Sequence, residues 1–288
     1  MQWDRAKNFM IIFFVLTNVM LAALIRYETG SHTLTREREN AIQAVFAQNN
    51  ITMYYSIPRN FAPMRPLRVA GHDYDIDRLL TIFFPPEAEG EMTHVTGINR
   101  DVFTWENIRL VIANGAIFFV SGLSNEGIPN KDAAKALAQA FIEEHYPGFE
   151  LDIHSTREAR RGGLRIFYRQ VYQGHFIHTN FVEFLITGDG DDLIIEEVDI
   201  LYGRPIGFAY LPRELIGPDE ALLTFVQNIR RHNDMPIIIN HMDIVYFQTT
   251  SGLREAYTMI YADPFYRIFI EGQEEPFRIC AYTNRMQQ

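Results

Sequence analysis

Hydrophobic positions along the chain fall into two regimes. Residues 9–25 read FMIIFFVLTNVMLAALI, with Thr17 and Asn18 the sole polar residues and no charge. At about 1.5 Å per residue, this run and its flanks span a hydrocarbon core of roughly 30 Å. The pattern therefore predicts a transmembrane anchor over residues 9–26, preceded by a short tail at 1–8. A cleaved signal peptide would have a shorter apolar stretch and a small-x-small cleavage site. Ala22-Ala23 leads instead into Leu24, Ile25 and Arg26, and no cysteine stands there for lipidation. Arg5 and Lys7 lie dense and close on the short side, which favours a cytoplasmic N-terminus and an extracytoplasmic body. Trp3 suits the interfacial aromatic position. Asn18 falls near mid-span, where it reads either as a contact with another membrane helix or as one tolerated amide.

After residue 26 the apolar positions become periodic. A polar linker covers 27–34. Thr35 then caps a helix with Ile42, Val45 and Phe46 on one face, ended by Asn49-Asn50. A strand at 51–55, a proline-marked loop and a short helix over 75–84 follow, then three short strands. The clearest hairpin joins 108–113 to 116–121 through Asn114-Gly115, since both turn residues accept positive φ. Next, Ile128-Pro129-Asn130 opens a helix with Ala133, Leu137, Ala140 and Phe141 on one side, closed by Tyr146-Pro147-Gly148. Strands are expected at 164–173, 176–187 and 193–201, with turns at Gly174-His175 and 188–191. Some 88 residues after Ile128, Ile216-Gly217-Pro218-Asp219-Glu220 opens another helix, striped by Ala221, Leu222, Phe225, Val226 and Ile229. Strands follow at 237–248, 254–262, 265–270 and 277–283. The fold class implied is α+β: an N-terminal transmembrane helix, then repeated units of a helix packed on an antiparallel meander. The regions expected are 27–126, and 127–288 with helix-meander units at 127–210 and 211–288.

Charge removes one class of partner. The chain has 288 residues, 47% apolar, a net charge of −10 and a pI near 5.4. An acidic body repels phosphate backbones, so no nucleic acid is expected. Cys280 is the sole cysteine, so packing replaces disulfides.

Motifs for catalysis are missing. No phosphate loop, dinucleotide fingerprint or HExxH occurs, and Gly122-Leu123-Ser124-Asn125-Glu126 lacks the last glycine of a nucleophile elbow. His175 and His178 fall on opposite strand faces, whereas His241 and Asp243 share one, a pair too small for a metal site. Asp189, Asp191 and Asp192 suit a turn. The adjacent Glu196 and Glu197 point apart. Arg157, Arg160 and Arg161 form a basic loop. Of the strand aromatics Phe167, Tyr168, Tyr172, Phe176, Phe181 and Phe184, alternation puts some outside, where they suit a protein interface. No catalytic residue, metal or cofactor is expected.

The opening Met1-Gln2-Trp3-Asp4-Arg5-Ala6-Lys7, running into FMIIFFVLTNVML, resembles the YycI-type regulatory proteins. The matching positions are Trp3, Lys7 and Asn18, and the length and layout are similar. The chain departs from that family's lysine-rich composition, with 23 Arg and 3 Lys. The helix-then-meander units are similar to YycH-type proteins and the PepSY-like fold. The resemblance implies a non-enzymatic membrane protein without cofactor. Together with a YycH-type sibling, it would act on a WalK-type sensor histidine kinase that governs cell-wall metabolism. Trp3, Thr17 and Asn18 are then the candidate membrane-partner contacts, in a homo- or heterodimer. The alternative is a PepSY-like extracytoplasmic module that binds or inhibits a peptidase.

Overall fold

The structure is a computed structural model. It describes residues 2–72, 74–123, 127–160, 162–189, 192–229, 235–248, 259–273 and 275–287, the side chains of 2–6 and 23–31 excepted. In chain order the elements are α1 (Gln2–Ser31), α2 (Arg36–Gln48), β1 (Ile51–Met53), β2 (Leu67–Gly71) and α3 (Ile76–Phe83). Four strands follow, one more than expected: β3 (Thr93–Gly97), β4 (Arg100–Trp105), β5 (Ile108–Ala113) and β6 (Ala116–Val120). Then come α4 (Lys131–His145), β7 (Leu151–Glu158), β8 (Leu164–Tyr172), β9 (His175–Thr187), β10 (Ile194–Leu201) and β11 (Gly203–Phe208). The last elements are α5 (Pro218–Ile229), β12 (Ile237–Gln248), β13 (Ile260–Ile270), β14 (Phe277–Cys280) and β15 (Met286–Gln287). The chain is thus α+β, as its periodicities imply.

The chain divides into two compact units, each assembled from separated segments. The first takes residues 1–65, 211–244 and 264–288. Accordingly, 27–65 packs with the two later segments, not with the rest of the expected 27–126 region. Thr35 caps α2, its Oγ1 accepting from the Arg38 amide at 3.3 Å. Ile42 and Phe46 of α2 are buried with Leu222 and Phe225 of α5, Ile239 of β12, Ile268 of β13 and Ile279 of β14. Each such side chain contributes on the order of 1.5–3 kcal/mol by leaving water. β1 runs parallel to the start of β12, while β13, β14 and β15 pair antiparallel. Arg38 joins the two helices through Asp219 (2.7 and 2.8 Å) and Glu220 (2.9 Å). Those acids sit in the first turn of α5, where the helix dipole favours negative charge. Gly217 leaves room for this ion pair, since a Cβ there would lie 2.4 Å from Asp219 Oδ1 and displace it.

The second unit takes residues 66–210 and 245–263. Its strands pair antiparallel in the order β7-β8-β9-β10-β6-β5-β4-β3. α4 covers one face, burying Ala134, Ala138 and Ile142 among Leu164, Ile166, Phe184, Val198 and Ile117. The buried stripe is thus rotated from the expected 133/137/140/141 set. Leu137 and Phe141 flank it and Ala140 is exposed, because seating Ile142 buries more apolar surface than seating an alanine. The Asn114-Gly115 hairpin forms as read, with φ of 52° and 77°. The next tight turn falls one residue earlier than expected, at Gln173-Gly174 (φ 48° and 80°), with Tyr172 opposite His175.

Besides the extra strand among β3–β6, the sequence reading missed β2, β7, β11 and β15. β2 lies within the proline-marked segment and β11 carries Pro205, so punctuation masked both. The two strands expected at 254–262 and 265–270 are one, β13, although 254–258 lie outside the described residues. Pro264 is accommodated because β13 changes partner there: 260–262 pair with β2 and 265–268 with β14. A proline at such a junction forfeits no ladder bond to β2 or β14.

Candidate functional site

A cleft of about 390 Å³ opens within the second unit. One wall is the segment that closes α4. Tyr146 ends the helix, its amide donating to the Ile142 carbonyl at 2.8 Å, and Phe149 N donates back to the Tyr146 carbonyl at 3.0 Å. Pro147 and Gly148 complete this turn. The Glu150 carbonyl accepts from Val171 N at 2.8 Å, which fastens the segment to β8. The opposing wall is the junction of β10 and β11. There the Tyr202 ring stacks on Phe149, with centroids 3.5 Å apart and planes within 3°. His72 stands edge-on to both, at 5.8 and 5.4 Å.

A buried amide network sets the position of this wall. Asn180 Nδ2 donates to Gln170 Oε1 at 2.6 Å, and Gln170 Nε2 donates to the Gly203 carbonyl at 2.8 Å. Gln170 precedes the lining residues Val171 and Tyr172, and Gly203 lies between Tyr202 and Arg204. A Cβ at Gly203 would lie 2.4 Å from Val69 Cγ1, so glycine lets β11 close on β2.

Charge in the cleft runs against the rest of the molecule. In a chain of net charge −10, it is lined by Arg78 and Arg204 against one acid, Glu150. Arg78, on α3, donates to the His145 carbonyl at 2.6 Å, compensating the negative end of α4. The remaining donors of its guanidinium are not used in that bond. Arg204 is exposed and makes no side-chain hydrogen bond or ion pair among the described residues. The Tyr146 hydroxyl is buried without a hydrogen-bond partner among the described residues. Burial raises its pKa far above the usual phenolic value, the Arg78 cation pulling the other way, so the group is a neutral donor at physiological pH.

The residues singled out from sequence are placed elsewhere. Thr17 Oγ1 donates to the Phe13 carbonyl at 2.9 Å and Asn18 Nδ2 to the Phe14 carbonyl at 2.8 Å. Both polar groups are thus bonded back into their own helix, leaving Asn18 one N–H and its carbonyl for a partner. The side chain of Trp3 lies outside the described residues. Among the described residues no helix is long and apolar enough to cross a membrane. The anchor expected over 9–26 therefore has no support from the helix itself.

His175 and His178 meet different aromatic partners, Tyr246 and Phe247, and burial lowers the pKa of His175. His241 and Asp243 do share a face, 3.7 Å apart, but the Asp243 carboxylate is engaged by Arg267. No group of three metal-ligating side chains occurs among the described residues. Glu197 pairs with Arg165 at 2.7 Å, and Arg157 approaches Glu183 at 3.7 Å. Arg161 and Asp191 lie outside the described residues. Of the strand aromatics, Tyr168 and Phe184 are buried under α4, while Phe167 and Phe181 stack at 5.2 Å, half-buried, on the other face.

Sequence reading missed the cleft. Tyr146-Pro147-Gly148 was legible only as a helix stop, and Arg78, Arg204 and Tyr202 are brought to it from positions far apart in the chain.

No family model and no curated protein matches the chain. Among solved structures it is similar to an uncharacterized protein from Eubacterium rectale, at 9% identity over 82% of this chain and 89% of that one, with a TM-score of 0.51. That likeness concerns the fold alone. The Bacillus megaterium YpeB C-terminal domain matches at 12% identity over 76% of this chain and 97% of that one, with a TM-score of 0.38.

Proposed function

We propose that the protein is a non-enzymatic, membrane-anchored regulator that acts, with a YycH-type sibling, on a WalK-type sensor histidine kinase of cell-wall metabolism. The observation that carries this reading is the exposure of α1. From Phe9 to Leu21 its large apolar side chains stand 51–73% open, on every side of the helix. A helix apolar all round belongs in a protein core or in lipid, and these side chains have no core about them. With α1 in the bilayer and the tail inside, the body faces the extracytoplasmic side. The choice of partner rests on the resemblance carried by Trp3, Lys7 and Asn18.

A sensor kinase switches between helix arrangements a few kcal/mol apart. An accessory helix biases that balance only by its differential affinity for the two arrangements. The free N–H and carbonyl of Asn18 supply one directional contact for it. The test is gentle solubilisation and co-purification, comparing the native helix with one whose residues 9–25 are replaced by an unrelated apolar helix. A kinase and a second anchored protein should accompany the native form and be lost from the substitute. Recovery of the kinase with both forms, or with neither, sinks the helix-mediated reading.

One observation favours a second reading: α4 laid across the β7–β10 meander suits a PepSY-like module that binds or inhibits a peptidase. That reading predicts that the body works when cut from α1 and retains a peptidase on a column.

A further inference from the structure

We propose that the cleft between the α4 closing segment and the β10–β11 junction binds a small organic carboxylate carrying a flat apolar group. Three observations converge on that chemistry. First, Arg204 lines the cleft exposed and without a side-chain partner among the described residues, and Arg78 lines it with donors to spare beyond its bond to the His145 carbonyl. The guanidinium fork matches a carboxylate bidentately, and these cations concentrate in a chain of net charge −10. Second, the walls are rigid and apolar: Phe149, held by its stack on Tyr202, with Pro147 and Pro205, a lining that suits a flat apolar group. Third, the site is preformed. Phe149, Glu150 and Gly203 are each held by hydrogen bonds of 2.8–3.0 Å, so little ordering accompanies binding. The volume of about 390 Å³ lies within the range of small-molecule pockets. Glu150, also in the lining, repels added negative charge, which favours a monoanionic carboxylate over a dianionic phosphate. None of this depends on α1 or on the kinase.

The test is isothermal titration calorimetry on the full chain in detergent micelles, with phenylacetate as probe and the isosteric, neutral phenylacetamide as control. The carboxylate should bind at about millimolar concentration or tighter, at least tenfold more strongly than the amide. Arg204→Gln should erase that preference without moving the thermal unfolding midpoint, because its side chain is exposed and unpaired. A tripeptide, N-acetyl-Ala-Ala-Phe, separates the two sources of the chemistry. Tighter binding than phenylacetate assigns the site to peptide C-termini, and weaker binding assigns it to free acids. Equal binding of acid and amide, no binding of any probe, or a preference that survives in Arg204→Gln overturns the proposal.

Discussion

Asp199 provides the sharpest test of the electrostatics of the sheet. It sits on β10 directly opposite Glu183 of β9, with Glu197 two residues along on the same face. Arg165 serves this group of carboxylates, 2.7 Å from Glu197 and 3.6 Å from Glu183. Burial, then repulsion from Glu183, pushes the Asp199 pKa from 3.8 up to about 6, Arg165 opposing. A carboxyl with a raised folded-state pKa stabilises the fold fully below its unfolded pKa, and that contribution is lost as pH rises through the folded value. The window here is therefore about 3.8 to 6, and above it ionised Asp199 costs stability. Two pKa units set a ceiling of about 3 kcal/mol. Asp199 keeps part of its surface in water, and screening reduces this to about 1–2 kcal/mol.

Asp199→Asn keeps the shape and removes the charge. Urea unfolding of the detergent-solubilised chain should show the variant more stable by about 1–2 kcal/mol near pH 7.5, with the gain vanishing near pH 4. The same gain at both pH values would mean that the charge is not the cause. Destabilisation at the higher pH would mean that the carboxylate makes a net favourable contact with Arg165, contrary to the assignment.

Four further outcomes follow from named contacts. Arg267, 1% exposed on β13, donates through Nε to Asp243 at 2.8 Å. Arg267→Met should cost about 1–3 kcal/mol in urea unfolding, with part of it recovered in Arg267→Met/Asp243→Leu, because the half-buried Asp243 carboxylate loses its charge-assisted partner. Tyr146→Phe removes a buried hydroxyl that has no partner among the described residues, so its unfolding free energy should hold or rise by about 1 kcal/mol; a loss of similar size would reveal a hydrogen bond there. Asn180→Leu strands the Gln170 amide and should cost about 1–3 kcal/mol in the same assay. Asn18→Leu, at matched protein level, should alter kinase output in cells; unchanged output removes the membrane-contact role from that residue.

What could be read from the chain and what could not divide along a physical line. Thr35 and Asn130 announced their helices because an N-cap is satisfied within three residues, and Asn114-Gly115 announced its hairpin because positive φ is a property of the residues themselves. Pairing between distant segments carries no such local mark. The parallel match of Ile51 with Ile237, which helps close the first unit out of separated segments, is decided by which apolar faces remain uncovered after the helices form. Pro264 misled because proline's effect on a strand depends on its neighbours: with β2 giving way to β14 at that residue, the missing N–H breaks neither of those ladders. Arg267 reads as an ordinary polar residue in an alternating strand, yet it is buried because Asp243 waits opposite it. The cleft is the extreme case. Arg78, Phe149 and Arg204 each look like a solvated cation or a turn-side aromatic, and nothing in their spacing unites them. They meet because Arg78 compensates the end of α4, Phe149 folds back beneath that end onto Tyr202, and Gly203 brings Arg204 close to β2. Each of those steps follows from satisfying a backbone group or fitting a ring, so the binding surface is a by-product of packing that places two guanidinium groups beside an aromatic wall.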